Sequence, residues 1–455
     1  MTDGVQSDRW VVLATIGVGT FMSALDSSVV NTLLPVLARE LSTSVAGIEW
    51  VSTVYLLVIS GLLLGFGRAG DLYGTKRMYV AGFVVFIVAS ALCGLSPTAH
   101  VLIGLRAFQA IGAAMLFANS PAILTKTCPP EQRGRALGAL GTFTYLGLTV
   151  GPSLGGWLAG AFGWRSIFYI NVPIGGLALF LSVRYIAHDR VEQREEKFDY
   201  AGAMLFMVGL VALLGALNQA HSWGWGSSLT IGLLLVALVI LVVFVRVELR
   251  LSSPMLDLSL FRDRVFAAST SSALLNYCCV YSVIFTIPFL LIQGRHLTPQ
   301  HTGIVMTAQP IVMAVVAPIS GSLSDKIGSR APATIGMVIL ATGLVFLAFS
   351  VQSSSLGVIA LALGVIGLGV GLFVSPNNSA LMGAAPRARQ GIASGVLATA
   401  RNAGMVMGIG IAGAVLTTVM ARVGGVDGLV GGVRAALLVA AGLAALGAAT
   451  SYVRA

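Results

Sequence analysis

Runs of apolar residues, each about the length of a membrane-spanning helix, alternate with short polar segments along the whole chain. A hydrocarbon core about 30 Å thick is crossed by roughly 20 helical residues, and in lipid the backbone must satisfy its hydrogen bonds within each segment. The pattern therefore predicts an all-α integral membrane protein with fourteen transmembrane helices. These lie near 10–34, 48–67, 78–96, 101–125, 136–161, 166–187, 200–219, 229–248, 266–292, 302–323, 331–350, 355–376, 389–420 and 431–453.

The composition agrees with this interpretation. Of the 455 residues, 56% are hydrophobic and 10% are charged, and the mean hydropathy is +0.92. Soluble globular proteins carry about 45–50% apolar and about 25% charged residues, so soluble and disordered classes are excluded. The chain has no nucleotide-binding loop and no kinase or hydrolase signature, and its four cysteines and five histidines lack metal-ligand spacing. We expect neither an enzyme nor a cofactor or metal site.

The formal net charge of +10 comes from the short loops between the apolar runs. If both termini face the cytoplasm, most lysines and arginines fall on the inner side, as the positive-inside rule requires. We therefore expect a multi-pass protein of the cell (inner) membrane with both termini cytoplasmic. The positive charge then needs no nucleic-acid partner.

Two polar segments divide the runs into groups of six, two and six. The first is His188–Tyr200 and the second is Ser252–Val265. The predicted organisation is an N-terminal six-helix bundle over 1–187, a linker with two extra transmembrane helices over 188–265, and a C-terminal six-helix bundle over 266–455.

An internal repeat supports two related bundles. The pattern Gly-xxx-Asp-xx-Gly follows the second run of each group of six, as Gly67, Asp71 and Gly74 and again from Gly321 through Asp325. Parallel repeats about an axis along the membrane normal place a substrate site between the two bundles.

Asp26 is the candidate for proton coupling. A carboxylate within a span costs roughly 2.5–3.5 kcal/mol on insertion scales, so its presence indicates a function or a buried partner. Arg106 and Gln109 lie one turn apart in the fourth run, and a guanidinium does not lose its proton in a protein. Arg106 is therefore expected to face an acid or a cavity. A purely structural ion pair is the alternative for both residues.

Polar and aromatic side chains within the apolar runs outline a candidate substrate cavity. Each of them taken singly is more typical of a helix–helix hydrogen bond than of a ligand contact, and that alternative stays open. As a set they indicate a large apolar pocket with few charges, which suits lipophilic substrates, cations included. The candidates are Asn31, Tyr55, Gln109, Asn119, Tyr145, Asn276, Tyr277, Gln309, Asn377 and Asn378.

Glycines at intervals of four residues mark one face of the fifth run, at Gly147, Gly151 and Gly155. Small residues at this spacing let helix backbones approach closely. Pro152 removes a hydrogen bond and bends the helix, and Gly156 follows the series. This pattern predicts either tight packing or a hinge-like contact between bundles, and the two are compatible.

Taken together, several segments resemble the signatures of the major facilitator superfamily, and specifically its fourteen-span drug:proton antiporter family of the EmrB/QacA type. The resemblance covers essentially the whole chain. One departure is Ala110, where the fourth-span signature usually has glycine. The matching segments are Leu25–Pro35, Trp50–Tyr55, Gly67–Arg77, Leu105–Gln109, Gly147–Gly156 and Trp164–Gly175.

The resemblance implies a major facilitator fold of two six-helix bundles plus two inserted helices. It also implies that Asp26 couples protons to transport and that Gly147–Gly156 is an antiporter motif. An inner gate is implied at the repeated loops, with Asp71 and Arg135 as latch partners. Its residues are Gly67, Asp71, Gly74, Lys76, Arg77, Arg135 and Asp325.

The resulting expectation is a monomeric secondary active exporter that exchanges protons for lipophilic drugs or antibiotics by alternating access. The proton gradient would be its energy source, and its partners would be protons, the lipid bilayer and a small lipophilic substrate. The alternative is proton-coupled export or import of a specific endogenous metabolite. A receptor or channel is disfavoured by the repeated loop and by the lack of a sizeable soluble domain.

Overall fold

The computed structural model describes residues 3–127, 133–187, 200–224, 226–249, 258–352, 355–386 and 390–453. These residues form fifteen α-helices, with a 3₁₀ turn at Leu258–Arg262 and a π-helical turn at Leu290–Gly294. The helices are α1 Asp3–Glu40, α2 Val45–Tyr73, α3 Thr75–Gly94, α4 Ala99–Thr127, α5 Arg133–Phe162, α6 Ser166–Tyr169, α7 Asn171–Tyr185, α8 Tyr200–Trp223, α9 Ser228–Glu248, α10 Arg264–Phe289, α11 Pro299–Ile327, α12 Arg330–Ser350, α13 Leu356–Ala384, α14 Gln390–Val423 and α15 Gly425–Tyr452.

Short polar residues begin several helices by capping the first free backbone N–H groups. Ser44 accepts a hydrogen bond from the backbone N–H of Gly47 at α2, and Asp263 accepts one from Phe266 at α10. Thr298 caps α11, which continues with Pro299 in its first turn, where the missing N–H of proline costs no helical bond.

The two repeated loops make the same sharp turn. Gly74, between α2 and α3, has φ of 104°, and Gly328, between α11 and α12, has φ of 84°. This region of backbone conformation is readily adopted only by glycine. The last glycine of the Gly-xxx-Asp-xx-Gly pattern is thus required by the backbone in both loops.

Twelve helices within the described ranges are long and apolar enough to cross a membrane, fewer than the fourteen predicted. The predicted fifth run forms α5, but its many glycines, with serines and threonines, lower its hydropathy. The predicted seventh run forms α8, Tyr200–Trp223, in which an apolar helix is found over Ala201–Leu217. Both segments are helical, but fourteen membrane spans are not supported.

The helices pack in two groups with matching neighbours, α1–α7 (the first group) and α10–α15 (the last group). In the first group α1 packs on α5, α2 on α4, and α3 on α4 and α7; in the last group α10 packs on α14, α11 on α13, and α12 on α13 and α15. The same order of contacts along the chain in both groups agrees with the internal repeat seen in the sequence.

Helix α1 contacts α10 and α11, and the groups meet most extensively through two helix pairs, α5 with α11 and α2 with α14. These pairs are equivalent under the repeat. The intervening helices α8 and α9 pack on each other, and α8 also contacts α2 and α14. Leu235, Leu238 and Val239 on α9 are more than half exposed, as expected of a helix that faces lipid.

Candidate functional site

A buried ion pair lies in the interior of the first group. Arg106 on α4 donates to Asp26 Oδ2 on α1, with 2.6 Å between Nη1 and the oxygen. The two side chains are 1% and 0% exposed. The two charged residues that the sequence singled out are therefore direct partners, and each neutralises the other where water is excluded.

Three polar side chains complete the environment of the Asp26 carboxylate. Gln109 Nε2 and Asn171 Nδ2 both donate to Asp26 Oδ1, at 3.1 and 2.7 Å. The same two amides also reach Ser90 Oγ on α3, at 3.2 and 2.9 Å, and Gln109 Oε1 accepts from Arg106 at 2.6 Å. We call Asp26, Ser90, Arg106, Gln109 and Asn171 the buried network. It joins α1, α3, α4 and α7.

The remaining contacts of Arg106 point toward α2. Its Nε donates to the carbonyl of Val51 at 3.3 Å, and its guanidinium lies 4.0 Å above the centre of the Tyr55 ring. A cation over an aromatic face is attracted by the ring, more strongly when both are desolvated. Tyr55 thus covers the ion pair on the side of α2.

Helix α10 approaches the buried network from the last group. Tyr281 on α10 is buried, and α10 packs on α1, the helix that carries Asp26. The network is therefore enclosed by the first group, but one of its helices also contacts the last group.

The arrangement constrains what the charges can do. Asp26 is fully hydrogen-bonded as a carboxylate, and protonating it would leave the Arg106 guanidinium buried without a counter-charge. Removing one partner of a buried pair is strongly unfavourable, typically by about 3–5 kcal/mol. A change of protonation at Asp26 therefore requires that Arg106 find water or another acceptor.

Of the predicted cavity residues, Asn31, Tyr55 and Gln109 lie near this centre, and Tyr277 lies on α10 beside Arg401. Asn31 is held between α1 and α2: its amide donates to the Ser27 carbonyl at 2.9 Å, and Ser52 donates to its oxygen at 2.7 Å. Tyr277 is half-buried on α10, and its ring centre is 6.0 Å from the guanidinium carbon of Arg401 on α14.

Three other predicted cavity residues join helices within one group. Asn119 on α4 donates to the carbonyl of Phe66 on α2 at 3.3 Å, Asn276 on α10 contacts the sulfur of Met337 on α12, and Asn377 on α13 donates to Ser269 on α10. All three are fully buried. Their hydrogen bonds agree with the alternative that these side chains join helices and do not contact a ligand.

The last three cavity candidates are placed less centrally or are not described. Gln309 is buried on α11, where its backbone is close to Gly367 of α13, and Asn378 is half-buried on α13. The side chain of Tyr145 lies outside those that the structure describes.

The inner-gate residues fall into two sets. Lys76 is buried, and its ammonium donates to the carbonyls of Val183 and Ile186, at 2.9 and 2.5 Å, at the end of α7. A cation is favourable at a helix C-terminus, so Lys76 fastens α3 to α7. Arg77 is exposed, and Gly67 has open space around it.

The latch itself stays a prediction. The side chains of Asp71, Arg135 and Asp325 lie outside those that the structure describes.

The glycine series of α5 packs against the first helix of its own group. Side chains at Gly147, Gly151 and Gly155 would collide with α1, at the backbone of Phe21, at Ser28 and at Val29. Ser28 also donates to the carbonyl of Leu148. This face is a close helix–helix contact, as its spacing predicts.

The opposite face of α5 contacts the last group. A side chain at Gly156 would collide with the backbone of Pro299 on α11, and one at Gly303 on α11 would collide with the backbone of Pro152. Ser153 and Thr307 share a hydrogen bond of 2.6 Å in the same contact. The motif residues thus form both a helix contact inside one group and the contact between groups.

The sequence did not single out Asn171 and Ser90 as site residues. Asn171 occupies the first turn of α7, directly after the break between α6 and α7 at Ile170, and this break directs its amide at Asp26. The available signal was a polar residue within the apolar run 166–187. Ser90 gave a weaker signal, because serine is common in spans and bonds to its own helix.

Comparisons with known proteins agree with this architecture. The family model of the Major Facilitator Superfamily matches residues 16–201, 198–409 and 270–454. The riboflavin transporter RibZ of Clostridioides difficile is 36% identical over 400 residues, which cover 88% of this chain and 86% of RibZ. The multidrug resistance protein Stp of Mycobacterium tuberculosis is 36% identical over 407 residues, which cover 89% and 75% of the two chains.

A solved structure shows the same fold. A bacterial homologue of the human lysosomal transporter Spinster, in an inward-facing and unoccupied conformation, superposes with a TM-score of 0.69 at 15% identity and covers 98% of this chain and 97% of its own. The helix order, the paired groups and the family match lead to one conclusion. The chain belongs to the Major Facilitator Superfamily and is a multi-pass membrane transporter, not an enzyme.

Proposed function

We propose that the protein is a proton-coupled exporter of lipophilic compounds that works as an H⁺ antiporter by alternating access. The observation that carries the proposal is the buried Asp26–Arg106 pair, with α1, which carries Asp26, also packed on α10 of the other helix group. The antiporter-type motifs and the multidrug resistance relative Stp support export of drugs or antibiotics. The proposed location is the cell (inner) membrane, with both termini cytoplasmic and a single chain as the working unit.

The proposed coupling follows from charge balance. In the arrangement described, Asp26 is paired with Arg106 at 2.6 Å. Proton uptake by Asp26 releases Arg106, which must then turn toward water, substrate or another acceptor because a lone buried cation is costly. The two states of the carboxyl thereby favour two arrangements of the helices around it.

The energy available is sufficient without a nucleotide. Moving one elementary charge across 100 mV supplies about 2.3 kcal/mol, which corresponds to a gradient of roughly fifty-fold since about 1.4 kcal/mol is a factor of ten. One proton per cycle is thus enough for useful export.

Transport by reconstituted protein tests the proposal. Vesicles containing the native chain should accumulate a lipophilic dye against its gradient when a pH difference is imposed, and collapse of the pH difference should stop this. Asp26→Asn should abolish the pH-driven component while dye binding persists. Asp263→Asn is the matched control, because Asp263 caps α10 away from the network and asparagine caps equally well.

Two results would contradict the proposal. One is pH-driven accumulation by Asp26→Asn at the native rate. The other is native protein that only dissipates a dye gradient, as a channel does.

A second candidate is proton-coupled transport of one specific metabolite, and the similarity to the riboflavin transporter RibZ favours it. A growth-inhibition panel of dyes, quaternary amines and antibiotics separates the two candidates. Protection against several unrelated compounds supports a drug exporter. No protection, together with movement of riboflavin in vesicles, supports the specific transporter.

A further inference from the structure

The part of the site contributed by the last group is positively charged. Arg401 on α14 is half-buried, and its Nε is buried without a hydrogen-bond partner in the part of the chain that is described. Its guanidinium carbon is 6.0 Å from the ring centre of Tyr277 on α10, which lies about one helical turn from Tyr281. A guanidinium whose buried Nε–H has no acceptor can donate a hydrogen bond to an acceptor group of a ligand.

Arg401 points toward the centre of the protein. It lies eleven residues beyond Gln390, where α14 begins. Its ring contact is with Tyr277 on α10, the helix of the last group that packs on α1. The charge therefore faces the contact between the two groups.

Among the side chains that the structure describes, neither buried acid of the first group, Asp26 or Glu49, is placed to neutralise Arg401. Asp26 is already paired with Arg106 at 2.6 Å. The Glu49 carboxylate lies against Gly413, which is twelve residues beyond Arg401 on α14 and thus about 18 Å away along the helix. A cationic substrate would meet a positive charge here, whereas an anionic one would meet a donor with free capacity.

We propose that Arg401 and Tyr277 form a subsite for a planar aromatic substrate that carries an acceptor group, a carboxylate above all, and that the protein disfavours cationic cargo. The guanidinium donates to the acceptor, and the Tyr277 ring stacks on the aromatic part. The inference deepens the proposed function, on which it rests, by naming the charge class of the substrate.

The test uses three probes with one ring system and different charges: 1-pyrenecarboxylate, 1-pyrenemethanol and 1-pyrenemethylammonium. Binding is measured by pyrene fluorescence on full-length protein in detergent, without any gradient. We expect the carboxylate to bind most tightly and the ammonium least tightly. Arg401→Gln should weaken carboxylate binding about tenfold, the effect of losing one charge-assisted hydrogen bond, and should remove its advantage over the alcohol.

Arg401→Lys keeps the charge but loses the planar fork, so it should keep part of the preference for the carboxylate. Arg422→Gln is the matched control, because Arg422 is exposed in the last turn of the same helix. The order in which the native protein binds the three probes is measured without any variant. It therefore tests the subsite even where a variant fails to fold.

The inference is overturned if the ammonium probe binds the native protein as tightly as the carboxylate, if none of the probes binds, or if Arg401→Gln leaves the ratio of carboxylate to alcohol affinity unchanged. Transport separates this from the proposed function. The expected binding order without pH-driven accumulation would leave the subsite standing and refute the antiporter. Conversely, pH-driven accumulation without the expected binding order would refute the subsite and leave the proposed function standing.

Discussion

Removing the negative member of the buried pair should destabilise the protein more than removing both members. Asp26→Asn preserves the shape of the side chain but leaves the Arg106 guanidinium, 1% exposed, without its counter-charge. The combined variant Asp26→Asn, Arg106→Gln removes both charges, and the amides of Gln109 and Asn171 still lie within reach of position 26.

The difference in stability between Asp26→Asn and the double variant follows from the burial of the ion pair. Leaving one charge of a buried pair alone costs about 3–5 kcal/mol, whereas neutral hydrogen bonds are each worth about 0.5–1.5 kcal/mol. The double variant should therefore recover about 2 kcal/mol of the stability that Asp26→Asn loses.

Thermal unfolding of detergent-purified protein, followed by tryptophan fluorescence, measures this order. The midpoint should be highest for the native chain and for the control Asp263→Asn, intermediate for the double variant, and lowest for Asp26→Asn. A double variant whose loss equals the sum of the two single losses would show that the charges do not interact. A native-like midpoint for Asp26→Asn would show that the guanidinium has another acceptor.

Three further predictions concern the supporting contacts. Gly156→Ala should slow transport and lower the midpoint by overpacking the contact between groups, at about 1–3 kcal/mol, whereas Gly141→Ala, with open space around it, should behave as native in both assays. Lys76→Met removes a charged donor to two carbonyls and should cost about 1.5–3 kcal/mol of stability, which lowers the midpoint. Arg77→Met changes an exposed side chain and should leave the midpoint unchanged. Equal effects of the two variants would refute the role given to Lys76. Asn171→Leu should cost a similar amount, since its amide donates to the buried carboxylate at 2.7 Å, and an unchanged midpoint would argue against that contact.

The sequence predicted those features that come from one helix or from charge. Asp26 and Arg106 were identified because charges are expensive in an apolar span, and their pairing is what that cost demands. Gly147, Gly151 and Gly155 were assigned to one face because helical spacing fixes faces, and the structure places all three against α1.

Features that depend on neighbouring helices could not be predicted in this way. Asn171 reaches the carboxylate only because the chain breaks between α6 and α7. Lys76 was predicted as an inner-gate residue, and nothing in the sequence showed that the end of α7 comes close enough to bury it. The position of α8 beside α2 and α14 could not be predicted either, because the inserted helices have no equivalent in the internal repeat.

The two helix groups meet through contacts of different kinds, and this bears on how a proton could change their arrangement. At Gly156 and Gly303, backbone packs on backbone, so these contacts fit in one arrangement and are lost in others. Near the centre, α10 packs on α1, the helix that carries Asp26. Under the coupling that we propose, a change of charge at Asp26 would shift α1 against α10. The close backbone contacts at Gly156 and Gly303 would then separate or form as a consequence.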